Sequence, residues 1–263
     1  MAYQSLYRRY RSKTFQELVG QEHVVKALKN AVTENRVGHA YLFSGPRGTG
    51  KTSTARILGK ALNCTNIQEG GEPCCECDSC LSFMDGTSYD LQELDAASNN
   101  GVEAVRELIS KVALGSPGKI KIYIVDEVHL LPTGAENALL KTLEEPPSHV
   151  VFILATTEKH KIIPTILSRC QIYDFKKISD QDSKNYIEEI IKSEGYKYEP
   201  KAISIIAKKA FGSLRDSLTI LDRVINFTNG NITLEMTSQI LNVLDTDTSV
   251  SYTHLTLPTS DLV

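Results

Sequence analysis

Apolar positions along the chain follow two spacings in turn. Short consecutive runs predict strands at Ala40–Ser44, 120–126, 150–155 and 171–175, with a weaker one near Leu91–Asp95. Between them the apolar residues recur at helical intervals. Over 21–34, Val24, Val25, Leu28 and Val32 share one face; over 102–114, Val102, Val105, Leu108, Ile109 and Val112 do the same. A third helix over 135–145 stops at Pro146-Pro147. Strands apolar on both faces and separated by helices predict an α/β fold, a parallel sheet covered by helices. After Lys176 the strand pattern ends, and 180–194, 200–211, 214–227 and 234–244 read as amphipathic helices. The expected division is an α/β domain over 1–177, a small all-helical domain over 178–244 and a tail over 245–263.

The chain has 263 residues, 41% hydrophobic and 23% charged, which excludes disorder, collagen and coiled coil. The longest purely apolar run, Val150 to Ala155, is far short of a membrane span, and the N-terminus lacks the apolar stretch of a signal peptide. A cytoplasmic protein without membrane contact is expected. The net charge of −3 gives no overall basic field for nucleic acid. Charge is nevertheless placed unevenly: Arg8, Arg9, Arg11 and Lys13 crowd the first thirteen residues, and Asp245, Asp247 and Asp261 are the only charges of the last nineteen.

Gly45-Pro46-Arg47-Gly48-Thr49-Gly50-Lys51-Thr52 fits the phosphate-loop pattern G-x-x-x-x-G-K-[ST]. Glycines let backbone N–H groups converge on phosphate oxygens, Lys51 reaches the β- and γ-phosphates, and Thr52 offers its hydroxyl to Mg²⁺. The predicted strand before the loop and helix after it are the context this chemistry needs, because a helix N-terminus favours an anion. The binding partner expected here is ATP with Mg²⁺. The apolar strand Ile122 to Val125 then delivers Asp126 and Glu127 at its end, where open parallel sheets bind ligands. Asp126 is the expected Mg²⁺ partner, and Glu127 the group that orients and deprotonates water. Solvated acids at a strand end are the alternative for such a pair on its own.

Five of the six cysteines, Cys64, Cys74, Cys75, Cys77 and Cys80, fall within seventeen residues. Two C-x-x-C spacings overlap there, and four thiolates around Zn²⁺ form a closed structural site. Reduced, unliganded thiols are the alternative. Cys170, alone in an apolar stretch, reads as packing.

The motifs follow one another in AAA+ order: the glycine loop, Asp126-Glu127, Ala155-Thr156-Thr157, Ser168-Arg169-Cys170, and Gly212-Ser213-Leu214-Arg215-Asp216. The wording of YQSLYRRYR, VGQEHVVKAL, HAYLFSGPRGTGKTS, NALLKTLEEPP and ILSRC resembles the gamma/tau family of bacterial DNA polymerase III, the clamp-loader ATPases, from residue 1 to about 244. That resemblance implies an AAA+ P-loop fold with a helical lid. It implies a motor subunit that uses ATP binding and hydrolysis to load a sliding clamp on primed DNA, beside the delta and delta-prime subunits. It makes Thr157 the sensor-1 residue near the γ-phosphate, Arg169 an arginine finger for the neighbouring subunit's ATP, and Arg215 the sensor-2 residue of the lid. It places Tyr7, Arg8, Arg11, Val19 and Gly20 in the adenine-side wall, although Ser12 stands where the family usually has proline. Of the cysteines it selects Cys64, Cys74, Cys77 and Cys80 as zinc ligands and leaves Cys75 spare.

Plainer readings compete at each position: Thr157 satisfying its own backbone, Arg169 and Arg215 as solvated cations, the N-terminal segment as a basic arm. A non-catalytic clamp-loader scaffold is disfavoured because Lys51, Asp126 and Glu127 are all present. A different AAA+ DNA motor is disfavoured by Ser-Arg-Cys and the cysteine insertion. Backbone N–H groups of Ala96 to Gly101 could take a DNA phosphate, with capping of the next helix by Ser98 or Asn99 as the equal alternative. The family's collar domain has no room in the nineteen residues after Leu244, eight of which are Ser or Thr. Residues 250–259 resemble a reading frame of a sequencing adapter. The tail is therefore expected to be foreign and disordered, and the chain to be monomeric.

Overall fold

The computed structural model describes residues 3–98, 101–112 and 118–242. The chain opens with a short helix, α1 (Leu6–Arg9), then α2 (Glu22–Thr33), β1 (Ala40–Ser44), α3 (Lys51–Asn63) and α4 (Asp78–Asp85). β2 (Leu91–Asp95), α5 (Val102–Ser110), β3 (Lys121–Asp126), α6 (Thr133–Glu144), β4 (Val150–Thr156), α7 (Pro164–Leu167) and β5 (Gln171–Asp174) follow. The last elements are α8 (Asp180–Glu194), β6 (Lys197–Tyr198), α9 (Pro200–Lys209), α10 (Leu214–Thr228), β7 (Asn231–Ile232) and α11 (Leu234–Ile240). Two compact units result. One is Tyr10–Ser179; the other comprises the described parts of 1–9 and 180–263.

In the first unit five strands form one parallel sheet in the order β2-β3-β4-β1-β5. Successive residues of the inner strands point to opposite faces. Leu42, Tyr123, Val125, Phe152 and Leu154 pack with α5 and α6 on one side. Tyr41, Phe43, Ile122, Ile124 and Ile153 pack with α2 and α3 on the other. Two cores on two faces explain why β1 and β4 read as uninterrupted apolar runs. The register aligns Ser44 with Thr156, and Val125 with Leu154. The C-terminal ends of β1, β3 and β4 therefore deliver their next residues to one edge.

The second unit is built on Ile187, Ile191, Ile203, Ile206, Leu221 and Val224, all buried. Ser213 caps α10 by accepting from Asp216 N, and Thr233 caps α11 by accepting from Met236 N. The expectation that strands end after Lys176 is corrected here, because β6 and β7 pair in parallel. Two residues each are too short to leave a periodic signal. Residues 3–9 also belong to this unit. Leu6 is buried, its N–H donates to Asp222 Oδ2 at 2.9 Å, and the Tyr3 hydroxyl donates to Asp222 Oδ1 at 2.6 Å. The helical unit is thus discontinuous in sequence, a feature that a cut at residue 177 does not contain.

α5 ends at Ser110, with Lys111 and Val112 in a turn. Its N-cap is Gly101, without a side-chain cap, and the Ser98 hydroxyl donates instead to Asp95 Oδ2. Capping by Ser98 is thereby excluded. Asn99, Asn100, Leu114, Leu244 and the tail 245–263 lie outside the described residues. No described helix is long and apolar enough to cross a membrane.

Candidate functional site

β1 runs directly into the phosphate loop, and α3 begins at Lys51. Gly45 has φ 145°, and a Cβ there would lie 2.4 Å from Phe175 O, so only glycine fits. Gly50, at φ 100°, turns the loop into the helix. The Thr49 hydroxyl donates to Pro46 O, and the Lys51 ammonium donates to Gly45 O and Pro46 O, both at 2.8 Å. Lys51 is 6% exposed. Burial pushes its ammonium below the ordinary lysine range, while the Glu127 and Asp126 carboxylates pull it partly back. A cation held at this cost needs an anionic partner to repay it. Arg47 is exposed.

β3 and β4 supply the opposing wall. The Thr52 hydroxyl donates to Asp126 Oδ2 at 2.7 Å. These two oxygens fit a hard divalent cation held between loop and strand. Glu127 follows in the left-handed region, φ 49°, which turns its carboxylate away from the strand direction. Glu127 Oε2 accepts from Thr157 N at 3.2 Å and from Thr157 Oγ1 at 3.0 Å. Lys51, Thr52, Asp126, Glu127 and Thr157 thus come together as one constellation at the sheet edge.

Arg11 Nε donates to Ser53 Oγ at 3.1 Å, bringing the N-terminal segment to the first turn of α3. Val19 is half-buried and Gly20 adopts φ 69°. The departure at Ser12 is compensated locally: its hydroxyl donates to Glu17 O, and Lys13 N donates to Glu17 Oε2. Tyr7 and Arg215 lie in the helical unit, where the Arg215 guanidinium sits 5.1 Å above the Tyr7 ring. Arg169 pairs with Glu144 Oε1 at 2.5 Å and donates to Thr165 O. Cys170 packs against the core beside β5, and burial pushes its thiol up to about 12.

Two residues were not singled out by sequence reasoning. Gln21, fully buried, donates to Lys176 O and Thr49 O and accepts from Lys176 N, tying the loop to the exit of β5. Its signal was a polar residue on the apolar edge of a helix pattern. His129 lies behind Glu127, with a side chain only 5% exposed.

The sulfurs of Cys64, Cys74, Cys77 and Cys80 lie within 4.8 Å of one another. Cys64 and Cys74 are 3.5 Å apart, Cys74 and Cys80 3.8 Å. A tetrahedral ion with metal–sulfur bonds of about 2.3 Å requires sulfur separations near ~3.8 Å, so the donor set fits. Backbone N–H groups of Cys74, Cys77 and Cys80 donate to the sulfurs of Cys64, Cys74 and Cys77. Burial opposes ionisation of Cys77, yet hydrogen bonds from Thr65 and Cys80 bring its thiol down to about 5. Cys75 stays outside the cluster at φ 60° and accepts from Lys60 Nζ at 3.1 Å. Between Cys64 and Cys74, buried Glu72 accepts from Phe15 N at 2.9 Å and pairs with Lys29 at 3.1 Å.

A parallel sheet with a phosphate loop, a strand-end Asp-Glu pair and an adjacent polar threonine defines an AAA+ P-loop fold. A solved neighbour agrees: the chain superposes on the RuvB Holliday junction branch migration motor of Thermotoga maritima with a TM-score of 0.66 at 20% identity, covering 90% of this chain and 76% of that one. Residues 20–179 match the family described as DNA polymerase III, delta subunit, and residues 183–230 match the DNA polymerase III clamp loader subunit, ATPase lid domain. The chain is 50% identical to DNA polymerase III subunit tau of Bacillus subtilis over 236 residues, 89% of this chain and 42% of that protein. It is 43% identical to DNA polymerase III subunit gamma of Buchnera aphidicola subsp. Baizongia pistaciae over 263 residues, 100% of this chain and 70% of that protein. The chain belongs to the gamma/tau family of DNA polymerase III clamp-loader subunits. It spans about two-fifths of the tau relatives it matches.

Proposed function

We propose that the chain is an ATP-hydrolysing motor of the bacterial clamp loader, loading a sliding clamp onto primed DNA with the delta and delta-prime subunits in the cytoplasm. One observation carries the reading: Thr52, Asp126, Glu127 and Thr157 converge by hydrogen bonds at the phosphate loop. A non-catalytic scaffold has no need for a Glu127 carboxylate held by two donors.

In this reading Lys51 leaves the loop carbonyls for the β- and γ-phosphates, and loop N–H groups cradle the rest of the anion. Thr52 and Asp126 hold Mg²⁺, which neutralises charge on the β- and γ-phosphate oxygens when bound. Glu127 orients a water and accepts its proton, and Thr157 fixes the carboxylate that does so. Arg11 and Val19 flank the adenine. Arg169 acts on the ATP of the neighbouring subunit and exchanges its Glu144 partner for that phosphate. Cys64, Cys74, Cys77 and Cys80 hold a structural Zn²⁺ with no chemical role.

The test is ATP turnover with and without partner subunits, clamp and primed DNA. The isolated chain binds ATP and hydrolyses it slowly; Lys51→Ala loses binding. Arg169→Ala keeps binding and loses about 10³-fold or more of the turnover in the assembled complex. Equal turnover by isolated chain and complex overturns the trans assignment.

A further inference from the structure

His129 sits in the turn after β3, two residues beyond Glu127. Its Nδ1 lies 3.0 Å from Thr156 Oγ1 and 3.4 Å from Glu127 Oε2. Its Nε2 lies 3.4 Å from Glu158 Oε1. Thr156 Oγ1 in turn accepts from Glu158 N at 3.0 Å, closing a ring of polar groups around the end of β4. Glu158 is also paired with Lys161 at 2.7 Å, which anchors the outer end of the series. The hydrogen bonds and close ion pair on the Glu127 carboxylate among the described residues fall on Oε2: two from Thr157 and one from His129.

Resting on the ATPase reading above, we propose that His129 is the positioning residue for Glu127, joining the carboxylate that activates water to Thr156 and Glu158 beside the Thr157 sensor. Glu127 needs such help because its backbone is in the left-handed region and its side chain must hold one rotamer at an open strand end. Thr157 fixes Oε2 from β4, and the imidazole fixes it from behind, leaving Oε1 to face water. A group oriented on one side by a base's neighbour and on the other by a carboxylate is the usual architecture for an aimed base. Because His129 and Thr157 bracket the same oxygen, movement of the β4 end on nucleotide binding is transmitted to Glu127 without an intervening loop. The imidazole's contacts are to Thr156, Glu127 and Glu158 and not to the phosphate loop, so its contribution falls on turnover and not on affinity.

The experiment compares the full chain with His129→Leu, His129→Asn and Glu158→Gln, using radiolabelled ATP in single-turnover hydrolysis and a fluorescent nucleotide for affinity. His129→Leu lowers the hydrolysis rate about tenfold or more and leaves nucleotide affinity within about twofold. His129→Asn, which keeps a polar group near the Nδ1 position, restores most of the rate. Glu158 is partly exposed, so Glu158→Gln folds even where a core substitution does not, and it lowers the rate severalfold at unchanged affinity. Wild-type rates in both His129→Leu and Glu158→Gln overturn the inference, as does a parallel loss of affinity and rate in His129→Leu and His129→Asn. Glu127→Gln separates the two levels: if it leaves hydrolysis intact, the ATPase reading fails; if it abolishes hydrolysis while His129→Leu does not, only the positioning role fails.

Discussion

Thr52 and Asp126, 74 residues apart, meet in a 2.7 Å hydrogen bond that joins the phosphate loop to the end of β3. The contact requires β1 and β3 to finish level, which the parallel register with β4 between them provides. Thr52→Val removes the hydroxyl offered to a divalent cation, and Asp126→Asn removes the negative charge of the other ligand. Each is expected to abolish Mg²⁺-stimulated ATP binding, and the double variant to cost little more than either single one. A double-mutant cycle on nucleotide affinity with and without Mg²⁺ measures this coupling.

Lys51 makes a second expectation at the same loop. Its ammonium is buried, and burial holds its pKa down, so the charged form is penalised in the chain without nucleotide. Lys51→Met removes that penalty along with nucleotide binding. Thermal unfolding without nucleotide should give the variant a Tm no lower than wild type. With ATP and Mg²⁺ only wild type should gain stability.

The Asp222 carboxylate accepts from both Leu6 N and Tyr3 Oη. Asp222→Ala leaves a part-buried N–H without its acceptor, a loss of about 2 kcal/mol for a hydrogen bond to a charged group. Hydrogen exchange should show lost protection at Leu6. By contrast, Arg9→Ala removes a half-exposed ion pair with Glu194 and should change stability little.

Metal analysis should find about one Zn²⁺ per chain. Cys77→Ser should lose it and Cys75→Ser retain it. Chelation should also raise hydrogen exchange at the Phe15 amide, because its acceptor, Glu72, lies in the segment between Cys64 and Cys74. ATP affinity should survive chelation, since Lys51 and Thr52 are held by the sheet.

Cys170 gives a pH-dependent readout. With its thiol raised to about 12 by burial, only about 10⁻⁴ of it is thiolate at pH 8. Labelling mapped by peptide mass spectrometry should therefore miss Cys170 in the folded chain at pH 8 and rise about tenfold per pH unit. The unfolded thiol ionises near ~8.5, so this group's contribution to stability is intact below that pH and declines as pH climbs toward 12.

β1, β3 and β4 were legible because each carries a run apolar enough to face two cores, whereas the edge strands β2 and β5 are largely half-buried or exposed and give a weaker pattern; Ala40–Ser44 and Leu91–Asp95 begin and end where the spacing places them. Helix ends were less legible. The apolar stripe to Val112 outlasts α5, since a residue in the following turn can still pack on the same core. Strand order was not legible at all, because β1 enters between β4 and β5 through pairings that no local pattern records. At the candidate site, the phosphate loop and Asp126-Glu127 stand out because phosphate chemistry constrains residue type at fixed spacing. His129 and Gln21 do not, because a buried polar side chain earns its place through distant partners, Glu158 in one case and Lys176 in the other.

The left-handed backbone of Glu127 bears on how this chain would respond to selection. Asn35, Asn229 and Asn242 occupy the same region with a side chain suited to it, whereas a glutamate there costs about 1 kcal/mol. Glycine or asparagine at 127 would relieve that cost and leave β3 intact. A library screened for heat resistance alone would accept those replacements readily, and each would discard the carboxylate. If Glu127 activates water as proposed, thermostable variants of this chain need a turnover screen at position 127, where a more comfortable protein is an idle one.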